Sequence, residues 1–253
     1  MQLPDIKIVL VEPTHPGNIG SVARAMKTMG ITSLALVNPK KFPHYEASKL
    51  AAGAESVLEE AQVYERLEDA LKETTLVLGT SVRDREVSWP TLSPKEVADA
   101  AYSHTAQSEN ASIAILFGRE SSGLTNEELG LCQSQIRIDA NPDYSSLNLA
   151  SAVQIIAYEL RMKWLDMVDQ KEHQQEESLP TSLEKRQLAA TRDQLEGHLN
   201  HLQSTLEALD FIKVKPPTVL MRKLSRLYGK AQLTVEEIQI LRGILSAVDQ
   251  KLK

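Results

Sequence analysis

The chain has 253 residues, a formal net charge of −6 and a single cysteine, Cys132. A chain of this length buries roughly 70–75% of the surface its unfolded form exposes, which leaves room for one full domain and a smaller one. One cysteine excludes an internal disulfide framework, no apolar run reaches the roughly 18–20 residues of a membrane-spanning helix, and the acidic balance excludes a protein that is basic all over. The N-terminus shows no basic segment leading into an apolar stretch, so a soluble cytoplasmic protein with no signal peptide and no membrane contact is expected.

In chain order, short apolar runs rich in β-branched residues alternate with helical patterns. The strand candidates are IKIVLV, SLALVN, TLVLGTS, SIAILFG and QIRIDA. The helix candidates between them are NIGSVARAMKTM, EASKLAAGA, LEDALKE, SPKEVADAAYS and TNEELGLC. This alternation predicts an α/β fold with a mostly parallel sheet and helices on both faces, because strands covered on both sides read as near-continuous apolar runs. A longer helix is expected from about Ser145, with Leu149, Val153, Ile156, Leu160 and Trp164 down one side.

The composition then changes. DMVDQKEHQQEESLPTS, from Asp166 to Ser182, has no aromatic residue and reads as a helix end followed by a linker. Beyond it, Leu188, Leu195, Leu199, Leu202, Leu206 and Leu209 form one apolar stripe, and Ile238, Leu241, Leu245, Val248 and Leu252 form another. Thr234 and Glu237 make a capping box at the start of the second. Between the stripes lie Lys213, Lys215, Arg222, Lys223, Arg226 and Lys230, with no acid from Phe211 to Lys230. The expected organisation is a domain over 1–165, a linker over 166–182 and a small α-helical domain with a basic middle over 183–253.

The stretch EPTHPGNIGSVARAMKTMG (12–30) raises the question of a dinucleotide site. Gly17, Gly20 and Ala23 have a G-x-x-G-x-x-A spacing, but Pro13, Thr14, His15 and Pro16 separate the strand from the first glycine, and SLALVN ends in Asn38 rather than an acid. Both features exclude the usual Rossmann fingerprint. In the helix that remains, Ile19, Val22, Met26 and Met29 are expected on the sheet side. Gly20 and Arg24, four apart, are expected on the opposite face, the glycine leaving room beside the guanidinium. Gly30 suits a helix C-cap. Two later stretches, LFGRESSGLTNEEL and IDANPDYSSLNLASAVQIIAYEL, end strands in polar loops. Ligands on parallel sheets bind at the carboxyl ends of strands, so Asn18, Arg24, Thr80, Ser81, Gly118, Glu120, Ser145, Ser146 and Asn148 are expected to converge on one rim.

In content, order and spacing these three segments resemble the signature motifs of the SpoU/TrmH family of RNA 2′-O-ribose methyltransferases, within the SPOUT class, over about the first 165 residues. The basic helical tail is similar to that of the subfamily that methylates the pyrimidine at the 5′ start of the tRNA anticodon loop, position 32. The resemblance implies a sheet whose carboxyl-terminal part is tied in a trefoil knot, a homodimer with its active site near the interface, and S-adenosylmethionine as cofactor. It places Thr80, Ser81, Val82, Gly118, Ile138, Ser145, Ser146 and Leu147 around that cofactor. It also makes Arg24 the catalytic residue, with Asn18, Glu120 and Asn148 positioning it. A guanidinium stays protonated, so Arg24 is expected to grip the adjacent phosphate and the developing alkoxide rather than to act as a base. RESSGL departs from many relatives, which carry a glycine where this chain has Ser121 or Ser122.

Other groups have simpler expectations. Glu128 with Thr125 reads as a capping box outside the site, and Cys132 as a core thiol. His198 and His201 share a helix face with no third ligand nearby, so no metal is expected. The tail, through Lys213, Lys215, Arg222, Lys223, Arg226 and Lys230, is expected to hold tRNA. A ribosomal-RNA methyltransferase of the same family, and an RNA-binding protein that kept the fold without catalysis, stand as alternatives.

Overall fold

The computed structural model describes residues 5–81, 90–174, 188–212 and 217–252, the backbone alone over 170–174. Val82, Lys213 and Lys215 fall outside the described residues, as does part of the expected linker.

Seven parallel strands form one sheet in the order β3-β2-β1-β6-β4-β7-β5. They are β1 (Ile6–Val11), β2 (Ser33–Val37), β3 (Gln62–Tyr64), β4 (Leu76–Thr80), β5 (Thr91–Leu92), β6 (Ile113–Phe117) and β7 (Ser134–Ile136). The five expected strands are present. The two extra ones, β3 and β5, lie at the sheet edges, where a run of two or three residues leaves no periodic signal.

Side chains alternate between two buried layers. Ile8, Leu10, Leu36, Leu78, Ile115 and Phe117 pack on one side, against α1 (Pro16–Thr28), α5 (Pro94–Gln107) and α7 (Leu149–Gln174). Val9, Val11, Val37, Val77, Ala114 and Leu116 pack on the other, against α4 (Leu67–Leu71) and the segment from Leu124 to Cys132. Both faces are therefore apolar, which is why the strands read as unbroken hydrophobic runs. Cys132 is buried in the second layer, and burial pushes its thiol up to about 12.

The expected role of Gly20 is corrected. It is buried, and a Cβ there would lie 2.1 Å from the carbonyl oxygen of Ala47 on α2 (Tyr45–Ala51). Its missing side chain lets two helices touch and leaves no space beside Arg24. The C-cap reading of Gly30 holds: its φ is +80°, and Ile31 N–H donates to Met26 O at 3.0 Å. The long helix starts at Leu149, four residues later than expected from the apolar stripe. Asn148 caps it, its Oδ1 accepting from Ala150 N at 2.9 Å. A short helix, α3 (Glu55–Glu59), and α6 (Asn126–Leu129) complete this part. Helix α7 continues to Gln174, so residues 166–174 are helical.

The tail forms α8 (Arg192–Ala208), α9 (Thr218–Lys230) and α10 (Val235–Leu252) around Leu195, Leu199 and Ile238. Leu188, Leu209 and Leu252, at the ends of the two stripes, are exposed. The Thr234–Glu237 capping box is formed.

Candidate active site

A cavity of about 350 Å³ opens at the carboxyl ends of β4, β6 and β7. This is the size range of small-molecule sites. Thr80 and Ser81 line it from the end of β4, Gly118 to Leu124 from the loop after β6, and Ile138, Ser146 and Leu147 from the segment before α7. Of the expected cofactor residues, Ser145 does not line it. Phe117, Ile136, Leu149 and Ala152 add apolar wall that sequence reasoning missed, because as strand and helix residues they carried no polar signal.

Two features fit this cavity to a polar ligand. The Ser81 Oγ is buried and has no hydrogen-bond partner among the described residues. Gly118 forms a cradle: a Cβ on it would sit 2.1 Å from Gly123 C and 2.2 Å from Leu124 N. The loop thus folds back onto its own first residue, and all of Gly118 to Leu124 line the cavity. Gly123 makes the return with φ of +68°.

Three of the four expected catalytic residues are joined. Asn18 Nδ2 donates to Glu120 Oε1 at 3.0 Å, and Asn148 Nδ2 donates to Asn18 Oδ1 at 3.1 Å. Glu120 also accepts from Thr14 N, Thr14 Oγ1 and His15 N at 2.8–3.2 Å. Burial alone would raise the Glu120 pKa. Hydrogen bonds from Asn18 and from backbone N–H groups outweigh it and bring the carboxyl down to about 2. Thr14 and His15 belong to the insertion that ruled out a dinucleotide loop, and their N–H groups are what hold Glu120.

Beside it, Arg119 bridges two carboxylates. Its guanidinium donates to Glu128 at 2.9 and 3.0 Å and to Glu12 at 3.0 Å, with a 2.9 Å ion pair to each. The bridge holds Arg119 above its ordinary value and Glu12 below its own. The Thr125–Glu128 capping box is present, but Glu128 does more than cap: it is also the bidentate partner of Arg119. This link was invisible in sequence, where Arg119 stood only as the neighbour of Glu120.

Arg24 stands apart from the other three. It is exposed in a groove between α1 and α7, with Ser21, Thr28, Ala150, Ser151 and Gln154, and it does not line the cavity. Among the described residues it makes no hydrogen bond or ion pair. On α9, Arg222, Lys223 and Lys230 are exposed and Arg226 is half-buried. His201 pairs with Asp249 at 2.8 Å, while His198 is buried edge-on to Tyr228, with ring centroids 4.8 Å apart. Among the described residues no group of three or more His, Cys, Asp or Glu stands where it could hold a metal ion.

A parallel sheet with a cavity at the carboxyl ends of its central strands, closed by a glycine loop and a capped helix, defines an α/β ligand-binding architecture. The chain belongs to the SpoU rRNA Methylase family, whose profile matches residues 5–158. Residues 193–253 match a second profile, the C-terminal domain of tRNA methyltransferase TrmJ. Among curated proteins, the chain is 47% identical over 251 residues to the tRNA (cytidine/uridine-2′-O-)-methyltransferase TrmJ of Citrobacter koseri, covering 99% of each chain. It is equally similar to the protein of that name from Escherichia coli K12, covering 99% of this chain and 98% of the other. Among solved structures it resembles TrmJ from Z. mobilis ZM4, with a TM-score of 0.79 at 31% identity over 96% of this chain and 98% of that one. It also resembles a probable methylase family protein from Haemophilus influenzae, with a TM-score of 0.62 at 43% identity over 99% and 98%.

Proposed function

We propose that this chain is an S-adenosylmethionine-dependent tRNA ribose 2′-O-methyltransferase acting on the pyrimidine at the 5′ start of the anticodon loop. One observation carries the reading: a methylase-family cavity and a tail of the tRNA-methyltransferase type occur in one chain, each similar to the same relatives along its full length.

When bound, S-adenosylmethionine supplies an electrophilic methyl group on a sulfonium centre. Thr80, Ser81, Gly118, Ile138, Ser146 and Leu147 hold it, the orphaned Ser81 hydroxyl and the backbone of the 118–124 loop offering polar partners and Leu147 and Ile138 apolar contact. Val82 and Ser145 belong to the same set by resemblance. Arg24 binds the phosphate beside the target ribose and donates to the 2′-oxygen as charge develops there. Glu120 is not the proton acceptor: its lone pairs are committed to Thr14, His15 and Asn18, and a carboxylate with a pKa of about 2 is a weak base. Its role, shared with Asn18 and Asn148, is to lock the loop before α1, the loop after β6 and the start of α7 to one another.

The active enzyme is a homodimer. Arg24 opens into a groove separate from its own chain's cavity, and the α1–α7 face offers a second copy a way to bring Arg24 and a cavity together. Residues 1–165 form the catalytic domain, knotted through its carboxyl-terminal strands, and 183–253 form the tRNA-binding domain. There Arg222, Lys223, Arg226 and Lys230, with Lys213 and Lys215, contact phosphates. The protein works in the cytoplasm without a metal ion.

The test is transfer of label from S-adenosylmethionine to bulk tRNA and, separately, to bulk rRNA. Label is expected in tRNA as 2′-O-methylcytidine or 2′-O-methyluridine, undiminished by chelator. Label confined to rRNA would move the assignment to the ribosomal branch, and no transfer to either would favour an RNA-binding protein without catalysis.

A further inference from the structure

The tail is docked rather than hung. The segment entering α8 is clamped by the catalytic part: Ala189 N donates to Ser108 Oγ at 3.1 Å and to Asn110 Oδ1 at 3.0 Å, and Asn110 Nδ2 donates back to Ala189 O at 3.2 Å. One asparagine side chain thus pairs with both backbone groups of Ala189, as a strand neighbour would. The first N–H groups of a helix have no partner inside it. In α8, Arg192 N finds Thr74 O at 2.8 Å and Asp193 N finds Lys72 O at 3.5 Å, both just before β4. Arg192 is half-buried, its Nε fully so and without a hydrogen-bond partner among the described residues, and this burial lowers its pKa. At the far end of α9, Gly229 lies against Gln133, and the seam leaves a void of only about 20 Å³ between Thr75, His104 and Gln133 on one side and Tyr228, Gly229 and Leu233 on the other.

The place of this seam matters. Thr74, Thr75, Asn110 and Gln133 all precede strands, so the tail sits at the amino ends of β4, β6 and β7. The cavity is at their carboxyl ends. The five residues of β4 separate the two by about 16 Å at ~3.3 Å per residue. Helix α9 leaves the seam at Gly229 and carries Arg222 about 10 Å further along its axis, at ~1.5 Å per residue.

We infer that the seam formed by Ser108, Asn110 and the amino end of α8 is a fixed ruler, which sets the distance between the basic helix and the methyl-donor cavity and thereby selects the nucleotide that is methylated. This rests on the tRNA reading above. A tail that only tethered RNA would raise local concentration through the length of its linker. A docked tail acts by register, and a misplacement of about 1 Å at the reacting atoms can cost about 100-fold in rate. Ser108 and Asn110 are then positioning residues, far from the reacting atoms.

The two accounts separate when docking and tether are changed independently. One variant lengthens the chain after Glu176 by eight glycine and serine residues. A second, Ser108→Ala with Asn110→Ala, removes the bonds to Ala189. A third, Gly229→Trp, wedges the seam against Gln133. For each full-length protein, single-turnover methylation, tRNA Kd, S-adenosylmethionine Kd and the methylated position are measured. The lengthened chain should keep the wild-type rate within about twofold and the same position. The seam variants should lose at least about tenfold in rate, or spread methyl groups to neighbouring nucleotides, with both Kd values within about threefold of wild type. Seam variants that keep full rate at one position would overturn the ruler, and so would a lengthened chain that loses as much as they do. If a seam variant fails to fold, the other variant and the lengthened chain still decide. If wild type itself fails to methylate tRNA, the functional reading falls rather than the ruler alone.

Discussion

Asn18 and Glu120 are 102 residues apart in sequence and hydrogen-bonded at 3.0 Å, and through Asn18 the bond extends to Asn148. Each of the three residues belongs to a different motif of the chain. Their common property is geometric: they tie the loop before α1 and the helix start of α7 to the loop that walls the cavity. Glu120→Gln places an amide NH₂ among groups that already donate. It should lower kcat/KM at least about tenfold and weaken S-adenosylmethionine binding, because the wall loop loses its anchor. Steady-state kinetics with isothermal titration checks both, and an unchanged cofactor Kd would show that the network does not hold the wall.

The same carboxylate gives a pH signature. Its pKa in the folded chain, about 2, lies below its ordinary value of 4.5, so the stability it contributes is complete above about pH 4.5 and is lost as pH falls toward 2. Urea unfolding followed from pH 5 to pH 2.5 should therefore fall less steeply in Glu120→Gln than in wild type. Parallel slopes would mean that Glu120 titrates normally.

Arg24 is exposed and outside the cavity. Arg24→Ala should lower turnover by about two orders of magnitude, the scale of a lost charge-assisted donor, with the S-adenosylmethionine Kd unchanged. Equilibrium dialysis alongside single-turnover rates tests this. Loss of cofactor binding with an unaltered rate per bound cofactor would remove Arg24 from the chemistry.

Arg119 joins Glu12 and Glu128, and its side chain is 20% exposed. Arg119→Met leaves two carboxylates facing each other and should cost about 2 kcal/mol, partial exposure softening the larger penalty of a fully buried pair. For a chain of this size that is a Tm lowered by about 4–8 °C. Arg119→Lys should recover only part of it, since an ammonium lacks the planar fork that meets Glu128 at two atoms. Differential scanning calorimetry of both variants reads the difference.

Gly118→Ala should abolish S-adenosylmethionine binding, because the new Cβ would meet backbone atoms of Gly123 and Leu124 at 2.1–2.2 Å and the loop must open. Gly53 is the control: its φ is +92° but nothing lies within 4 Å of a Cβ there, so Gly53→Ala should cost only about 1 kcal/mol of backbone strain and no binding. Titration calorimetry on both separates a cradle from a turn.

What was legible in the sequence follows from the range of the interactions involved. The five central strands were readable because both faces are buried, and the capping boxes at Thr125 and Thr234 because they are local. The edge strands β3 and β5 were too short to show a period. The start of α7 was placed too early because Ser145, Ser146 and Asn148 are all good cap residues, and only the structure shows that Asn148 makes the cap while Ser146 lines the cavity. Gly20 was misread because α1 packs on α2 as well as on the sheet, so its opposite face is not free. The Arg119 bridge and the Glu120 anchor join residues more than 100 apart. Such pairings have no periodicity: the strand-end rule put Asn18, Glu120 and Asn148 on one rim, and the family resemblance gave them a shared role, but neither gave the bonds between them.

The most direct measurement of the central claim is position-resolved mapping of 2′-O-methylation on unmodified tRNA incubated with S-adenosylmethionine and the full chain, beside Arg24→Ala. The account predicts a single methylated ribose, on the pyrimidine at the 5′ start of the anticodon loop, with wild type, and at most about one hundredth of that rate with Arg24→Ala. Methylation elsewhere in the tRNA, or undiminished methylation by Arg24→Ala, would contradict it.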